Sequence, residues 1–424
     1  MHKGDITLDS LSKIEGHADL VIKIKDKKVE DINFSITEHK RFFTQAMHGK
    51  HIEVLPQHLS RICGTCSIAH LLCSIESIEK ALEVKASEQT KLLRKLSMYG
   101  LMIRDHALHL YLLALPDVLG KNSVLDFGEE YHNYIHDAFD VKAVGNKLAI
   151  FAAGRSVHAP FPVIGGFNHI PDNSQIPDLI KSLESIRETA LKLIEIYYKC
   201  NFKLERETNF VGLKAEEYGF IEGRIHTSNG EIIEEKDYLD HLNHIVIPYS
   251  ESSAYEFEGK EYMVGALARL NLGKELLHKR TQESCRKELK EFPSINIYRN
   301  NLAQAIEILH SIDHSIEILG KTKFRQEAPV KFKIKTSEGV GVVEAPRGTL
   351  YHRVKMDDKG IVTDGNIIVP TSQNQINMRD DLKKLVQENI DKSKDFIVNE
   401  AEKLIRAYDP CMSCASHFLR VKWV

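Results

Sequence analysis

Apolar and polar residues alternate across residues 18–36. Leu20, Ile22 and Ile24 lead into Lys25-Asp26-Lys27-Lys28, and Val29, Ile32, Phe34 and Ile36 follow. A period of two interrupted by a polar turn predicts a β-hairpin. From 66 to about 84 the apolar spacing becomes helical, and a longer helix is expected over 87–114. Another amphipathic helix is expected over 178–203, with Leu179, Ile180, Leu183, Ile186, Ala190, Leu193, Ile194 and Tyr197 on its apolar side. Residues 212–265 read as mixed, with a turn at Asn229-Gly230 and a β-rich run at His244-Ile245-Val246-Ile247. Helices resume over 298–319 and 378–406, and the glycine-punctuated stretch 330–370 between them is β-rich. There is no internal repeat, low-complexity segment or Pro/Gly/Ser linker. The expectation is one unit over 1–424, mainly α with small β-sheets (α+β): a bundle of long helices whose termini meet.

Composition narrows the class. The chain has 424 residues, 42% of them hydrophobic, and a formal net charge of −3. That is enough for a large core, and nothing in the charge suggests a nucleic-acid or anionic-membrane partner. No apolar run approaches the ~20 residues of a membrane span, and MHKGDITLDS has no apolar stretch of the kind a signal peptide needs. Seven cysteines in a chain this long do not form a secreted disulfide scaffold. A soluble protein of the reducing cytoplasm is expected.

Four of those cysteines form two pairs near opposite ends, each followed by a histidine. The early motif is Arg61-Ile62-Cys63-Gly64-Thr65-Cys66, with His70 beyond it. The late one is Asp409-Pro410-Cys411-Met412-Ser413-Cys414, followed by His417. Proline disfavours helix in the residue before it, so the 378–406 helix should stop short of Asp409 and leave the late pair on a turn. Four thiolates make a soft site for a transition metal. A structural zinc site is the simplest reading of CxxC pairs alone. However, zinc ribbons usually draw their pairs from neighbouring sequence, and zinc does not require Arg61, Asp409-Pro410 or the two histidines.

These motifs resemble RxCGxCxxxH and DPCxxCxxH of the nickel–iron hydrogenase large subunit. Further segments match that family in order. They are Lys13-Ile14-Glu15-Gly16-His17, Arg104-Asp105-His106 with His109-Leu110-Tyr111, and Gly154-Arg155-Ser156-Val157-His158 with Gly165-Gly166. Gly265-Ala266-Leu267-Ala268-Arg269-Leu270-Asn271, Glu344-Ala345-Pro346-Arg347-Gly348 and Pro370-Thr371 complete the series. The chain looks most like the cytoplasmic multi-subunit hydrogenases, so the resemblance implies that family's long-helix bundle.

The resemblance implies reversible heterolytic cleavage of dihydrogen at a nickel–iron centre. Cys63 and Cys411 would be terminal on nickel. Cys66 and Cys414 would bridge to an iron carrying carbon monoxide and two cyanides. His70 would hydrogen-bond a bridging sulfur. Arg347, held by Asp105 and Asp409, or the Cys411 sulfur would take the proton, and Glu15 would carry it onward. Pro346 and Thr371 would contact the diatomic ligands. The family's further metal near the C-terminus, magnesium or iron, would use His417, but the glutamate that commonly serves it is replaced here by Thr44. A tail over 418–424 would be removed by an endopeptidase after maturation proteins have loaded the metals.

Electrons need an exit from this chain. Cys73, Cys200 and Cys285 are too few and too scattered for a four-cysteine iron–sulfur cluster. Gly339-Val340-Gly341 lacks the third glycine and the βα context of a dinucleotide site. An iron–sulfur small subunit, with further electron-transfer subunits, is therefore the expected partner. Three rivals are a slow hydrogen sensor, a structural relative of the quinone-site subunit of respiratory complex I, and a zinc-stabilised interaction module. The complex I lineage lacks the four cysteines.

Overall fold

Asp26 and Lys27 both adopt left-handed backbone angles (φ 47° and 60°), the geometry that lets a two-residue turn follow the twist of its strands. They join strands Ala18–Lys25 and Lys28–Ile36, in which alternate residues are buried, and Ile6–Leu8 adds an outer strand. This hairpin opens the computed structural model, which describes residues 6–9 and 11–416. His417 and the proposed tail lie outside the described residues.

Helix Ser67–Leu82 is buried on nearly all sides and ends at Glu83 in a left-handed cap (φ 57°). It lies on a three-stranded antiparallel meander, Ser337–Ala345, Gly348–Met356 and Val362–Ile368. The backbones approach closely at Gly339 and Gly341. A Cβ at Gly341 would lie 2.7 Å from Ser77 N and closer still to the Cys73 carbonyl oxygen. The glycines of Gly339-Val340-Gly341 thus let a helix backbone rest on a strand. Helix Glu88–Ala107 starts at Ser87, whose Oγ accepts the Thr90 N–H at 3.1 Å. It runs on through a π-helical stretch, Leu108–Ala114, to Val118. Helix Arg299–Lys321 packs against it and against Arg187–Lys199. The larger of two apolar clusters draws on residues from Ile6 to Ala415, and a smaller one, with Val211, Tyr238, Tyr262 and Tyr351, lies on the sheets.

Two expected helices are each broken in two. The 178–203 segment forms Ile176–Ser185 and Arg187–Lys199. At the break Arg187 turns inward to the buried Asp313, 2.8 Å away. The 378–406 segment forms Pro370–Glu388 and Lys394–Ala407. Asn389 bonds back to the Leu385 carbonyl (2.9 Å) and ends the first, and Ser393 Oγ caps the second. Helix His132–Ala153 was not anticipated. It packs on Glu88–Ala107 through Gly145 and Gly100, where added Cβ atoms would sit 2.8 Å and 2.6 Å from facing backbone nitrogens. The strand expected at 244–247 is Leu242–Ile245, and Gly230 (φ 89°) makes the expected turn.

Candidate metal centre

The four motif sulfurs converge. Cys63 follows a short 3₁₀ turn, Ser60–Ile62, and Cys66 opens helix Ser67–Leu82. Helix Lys394–Ala407 ends where expected, and Asp409 takes a left-handed conformation (φ 51°) before Pro410. The chain then runs extended through Cys411, which pairs with Glu15 as a parallel bridge, before the helical turn Met412–Ala415 carries Cys414. Sulfur separations are 3.5 Å for Cys63–Cys411 and 3.2 Å for both Cys66–Cys414 and Cys411–Cys414. A disulfide would be about 2.05 Å. Donors sharing one metal at about 2.3 Å stand roughly 3.2–3.8 Å apart, and the measured spacings fall in that range.

The electrostatics also favour a cation. All four thiols are buried. Hydrogen bonds from Cys411, Cys414 and Cys66 hold Cys63 well below the usual thiol range, while burial pushes Cys411 well above it. Without a positive charge among them, the cluster favours one thiolate over four. The donor set therefore fits a thiophilic metal.

Around the sulfurs the polar groups are closely tied. Glu15 Oε2 is 3.0 Å from Cys411 Sγ and accepts the Ser413 N–H at 3.0 Å, while the Glu15 carbonyl accepts from Met412 N at 3.0 Å. Arg347, on the turn between two meander strands, donates to Asp105 at 2.7 Å and to Asp409 at 3.0 Å. Thr371 Oγ1 accepts the Cys411 N–H at 2.9 Å. His70 Nε2 stands 3.7 Å from Cys414 Sγ, so it meets the sulfur of the other motif. A small cavity opens beside Cys66, Cys411 and Cys414, bordered by Ala345, Arg347, Leu350, Pro370 and Thr371. Pro346 is not among the residues around that cavity; its carbonyl accepts from Arg269 at 3.1 Å.

The sequence profile described as "Nickel-dependent hydrogenase" matches residues 41–130 and 222–417. Sulfhydrogenase 1 subunit alpha of Pyrococcus furiosus is 32% identical over 426 residues, covering 98% of each chain. Sulfhydrogenase 2 subunit alpha of the same organism is 30% identical over 423 residues, covering 98% of this chain and all of that one. The chain belongs to the nickel-dependent hydrogenase family. Among solved structures, an NAD+-reducing NiFe-hydrogenase in the H2-reduced state superposes with a TM-score of 0.87 at 25% identity, covering 98% of this chain and 100% of that one. The protein is therefore a catalytic large subunit of a nickel–iron hydrogenase, and the expected fold class and family hold.

Several groups around this hydrogenase site were not anticipated. His352 Nε2 lies 3.1 Å from His70 Nδ1. Gln304 Nε2 donates to Asp409 Oδ2 at 2.9 Å. Thr65 Oγ1 is 3.0 Å from Cys63 Sγ, and the buried Arg104 guanidinium donates to the Thr65 carbonyl. Thr65 sits inside the early motif, between its two cysteines. Gln304 and His352 lie on elements remote from both motifs and carry no local signal. No helix among the described residues is long and apolar enough to cross a membrane.

Proposed function

We propose that Cys63, Cys66, Cys411 and Cys414 would hold the nickel–iron pair, Cys63 and Cys411 as ligands of nickel alone and Cys66 and Cys414 as ligands that nickel would share with an iron bearing carbon monoxide and two cyanides. The observation that carries this is the convergence of four sulfurs at 3.2–3.5 Å with a carboxylate oxygen 3.0 Å from one of them. The cavity beside Cys66, Cys411 and Cys414 leaves room next to the sulfurs for such ligands. Its apolar border of Ala345, Leu350 and Pro370 suits small, weakly hydrated diatomic ligands. Buried Arg347 Nε has no hydrogen-bond partner among the described residues, a donor that cyanide would satisfy.

When bound, the metal pair supplies the Lewis acid and the two-electron acceptor against which dihydrogen is split. The chain supplies the proton path. Cys411 Sγ takes the proton and passes it to Glu15 Oε2, whose geometry is fixed by the Ser413 N–H. Arg347, anchored on two carboxylates, offsets the negative charge of the thiolates. His70 donates toward Cys414 and orients that sulfur. The net change is dihydrogen to two protons and two electrons, and the reverse.

The second metal near the C-terminus fits poorly. Thr44 offers no carboxylate, and His417 lies outside the described residues. Electrons pass to an iron–sulfur small subunit, because Cys73, Cys200 and Cys285 are dispersed. Cys73 is bonded to the Gly341 and Leu350 carbonyls. Maturation proteins install the diatomic ligands, an endopeptidase removes 418–424, and the complex works in the cytoplasm.

Infrared spectroscopy of the purified, nickel-loaded complex tests the reading. Carbonyl and cyanide bands with fast hydrogen-dependent dye reduction are expected. Metal analysis showing zinc alone, with no such bands, would overturn it, and bands with only slow turnover would favour the sensor.

A further inference from the structure

His109 is 2% exposed and lies in the π-helical stretch Leu108–Ala114. Insertions of this kind recur at functional sites because they re-aim a side chain within a continuous helix. The proton path above gives His109 no part.

Its hydrogen bonds fix its protonation. Nε2 lies 2.8 Å from the Arg406 carbonyl oxygen, which can only accept, so Nε2 carries a hydrogen. Nδ1 lies 2.6 Å from Gln304 Oε1. The orientation of that amide is set at its other end. Gln304 faces Asp409 Oδ2 at 2.9 Å, and the other oxygen of Asp409 accepts from Arg347 at 3.0 Å. A carboxylate held by a guanidinium is an acceptor only, so the amide nitrogen must face it and the amide oxygen must face His109. Nδ1 then also carries a hydrogen. With both ring nitrogens donating, the ring is a cation, and its Nε2 stands 4.0 Å from Asp409 Oδ1. Each of the two ring N–H groups thereby meets an acceptor, as a buried charged group requires.

We propose that His109 is a buried imidazolium and a positioning residue, which donates to the Arg406 carbonyl and to Gln304 and so orients the Gln304 amide toward Asp409. The inference rests on the hydrogenase reading of the site.

Neutron diffraction from the deuterium-exchanged, nickel-loaded complex reads the state directly. Deuterium on both Nδ1 and Nε2 of His109 is expected, and deuterium on one nitrogen alone overturns the proposal. His109→Gln keeps a polar side chain but loses the charge. In that variant the carbonyl and cyanide bands should shift and dye reduction should fall about tenfold at unchanged nickel content. Unmoved bands with an unmoved rate would remove the positioning role. If the variant fails to accumulate, the neutron result on the unaltered complex decides. Absence of the bands from the unaltered complex would sink the metal assignment instead, while the neutron map still reports on His109.

Discussion

Glu15 meets the sulfur cluster through one oxygen, which is shared with the Ser413 N–H. A side-chain amide could make the same two contacts but could not carry a proton. Glu15→Gln should therefore load nickel normally and lose about 10²-fold or more of its hydrogen-dependent dye reduction. Glu15→Asp, shorter but titratable, should recover part of that loss. Rates normalised to nickel content check this, and a Gln variant at full rate would exclude Glu15 from the path. The residues legible in the sequence were those whose chemistry demands a residue type at fixed spacing: the two CxxC pairs, Asp409-Pro410, and Arg347 within Glu344-Ala345-Pro346-Arg347-Gly348. Gln304 and His352 were not legible. Each reaches the site across tertiary space, from a helix or strand whose local pattern reads as ordinary core. The position of His70 on its helix follows from the spacing, but which sulfur it meets depends on how the two ends of the chain dock.

At the level of elements, the site depends on how helix Ser67–Leu82 seats on strand Ser337–Ala345. The helix carries Cys66 and His70, and the turn after the strand carries Arg347. Gly341→Ala would drive a methyl group into the backbone at Cys73 and Ser77. Overpacking of this kind costs about 1–3 kcal/mol, and the helix must shift relative to Arg347. Lower thermal stability together with lower nickel content is expected; full nickel loading would show that the seating is not critical. Helix Arg299–Lys321 carries an acid sensitivity. Burial, with His314 and His278 nearby, pushes His310 down to about 3. Its Nε2 donates to the Tyr218 carbonyl, and its Nδ1 accepts the His278 N–H. The unfolded chain binds this proton below about pH 6.5 and the folded chain does not, so stability falls as pH drops from there toward 3. At pH 5 the loss is about 2 kcal/mol relative to pH 7. Glu307, held at about 2 by Arg269 and His106 against the cost of burial, adds to the loss below pH 4.5. His310→Gln should flatten the slope of unfolding midpoint against pH between 7 and 5, and an unchanged slope would refute the assignment. Long apolar stripes made most helices readable. Helix His132–Ala153 escaped because its contact with Glu88–Ala107 is made by glycine and alanine, where backbones nearly touch. The breaks at Ile186 and Asn389 escaped because a single inward arginine and a single amide decide them.

On the scale of the molecule, the centre exists only because the chain's two ends are clasped together. Cys63 and Cys411 are 348 residues apart, yet their sulfurs lie 3.5 Å from each other. Asp117 is the buried anion in that clasp. It accepts Lys13 Nζ at 2.7 Å from the segment bearing Glu15, and the Arg406 guanidinium at 2.6 and 2.9 Å from the helix leading to Cys411. Asp117→Asn would leave two cations facing a neutral amide, and removing one partner of a buried pair costs about 3–5 kcal/mol. Loss of stability alone would not single out the clasp, so a control is needed. Arg187→Gln breaks the ion pair to Asp313, nine residues along its helix from Gln304, or about 13 Å, and touches neither end of the chain. If Asp117 aligns the termini for metal binding, Asp117→Asn should lower nickel per folded chain while Arg187→Gln lowers only the melting temperature. Equal nickel content in the two variants, at comparable loss of stability, would mean that the sulfurs find one another without the clasp, and that metal binding itself draws the ends of the chain together.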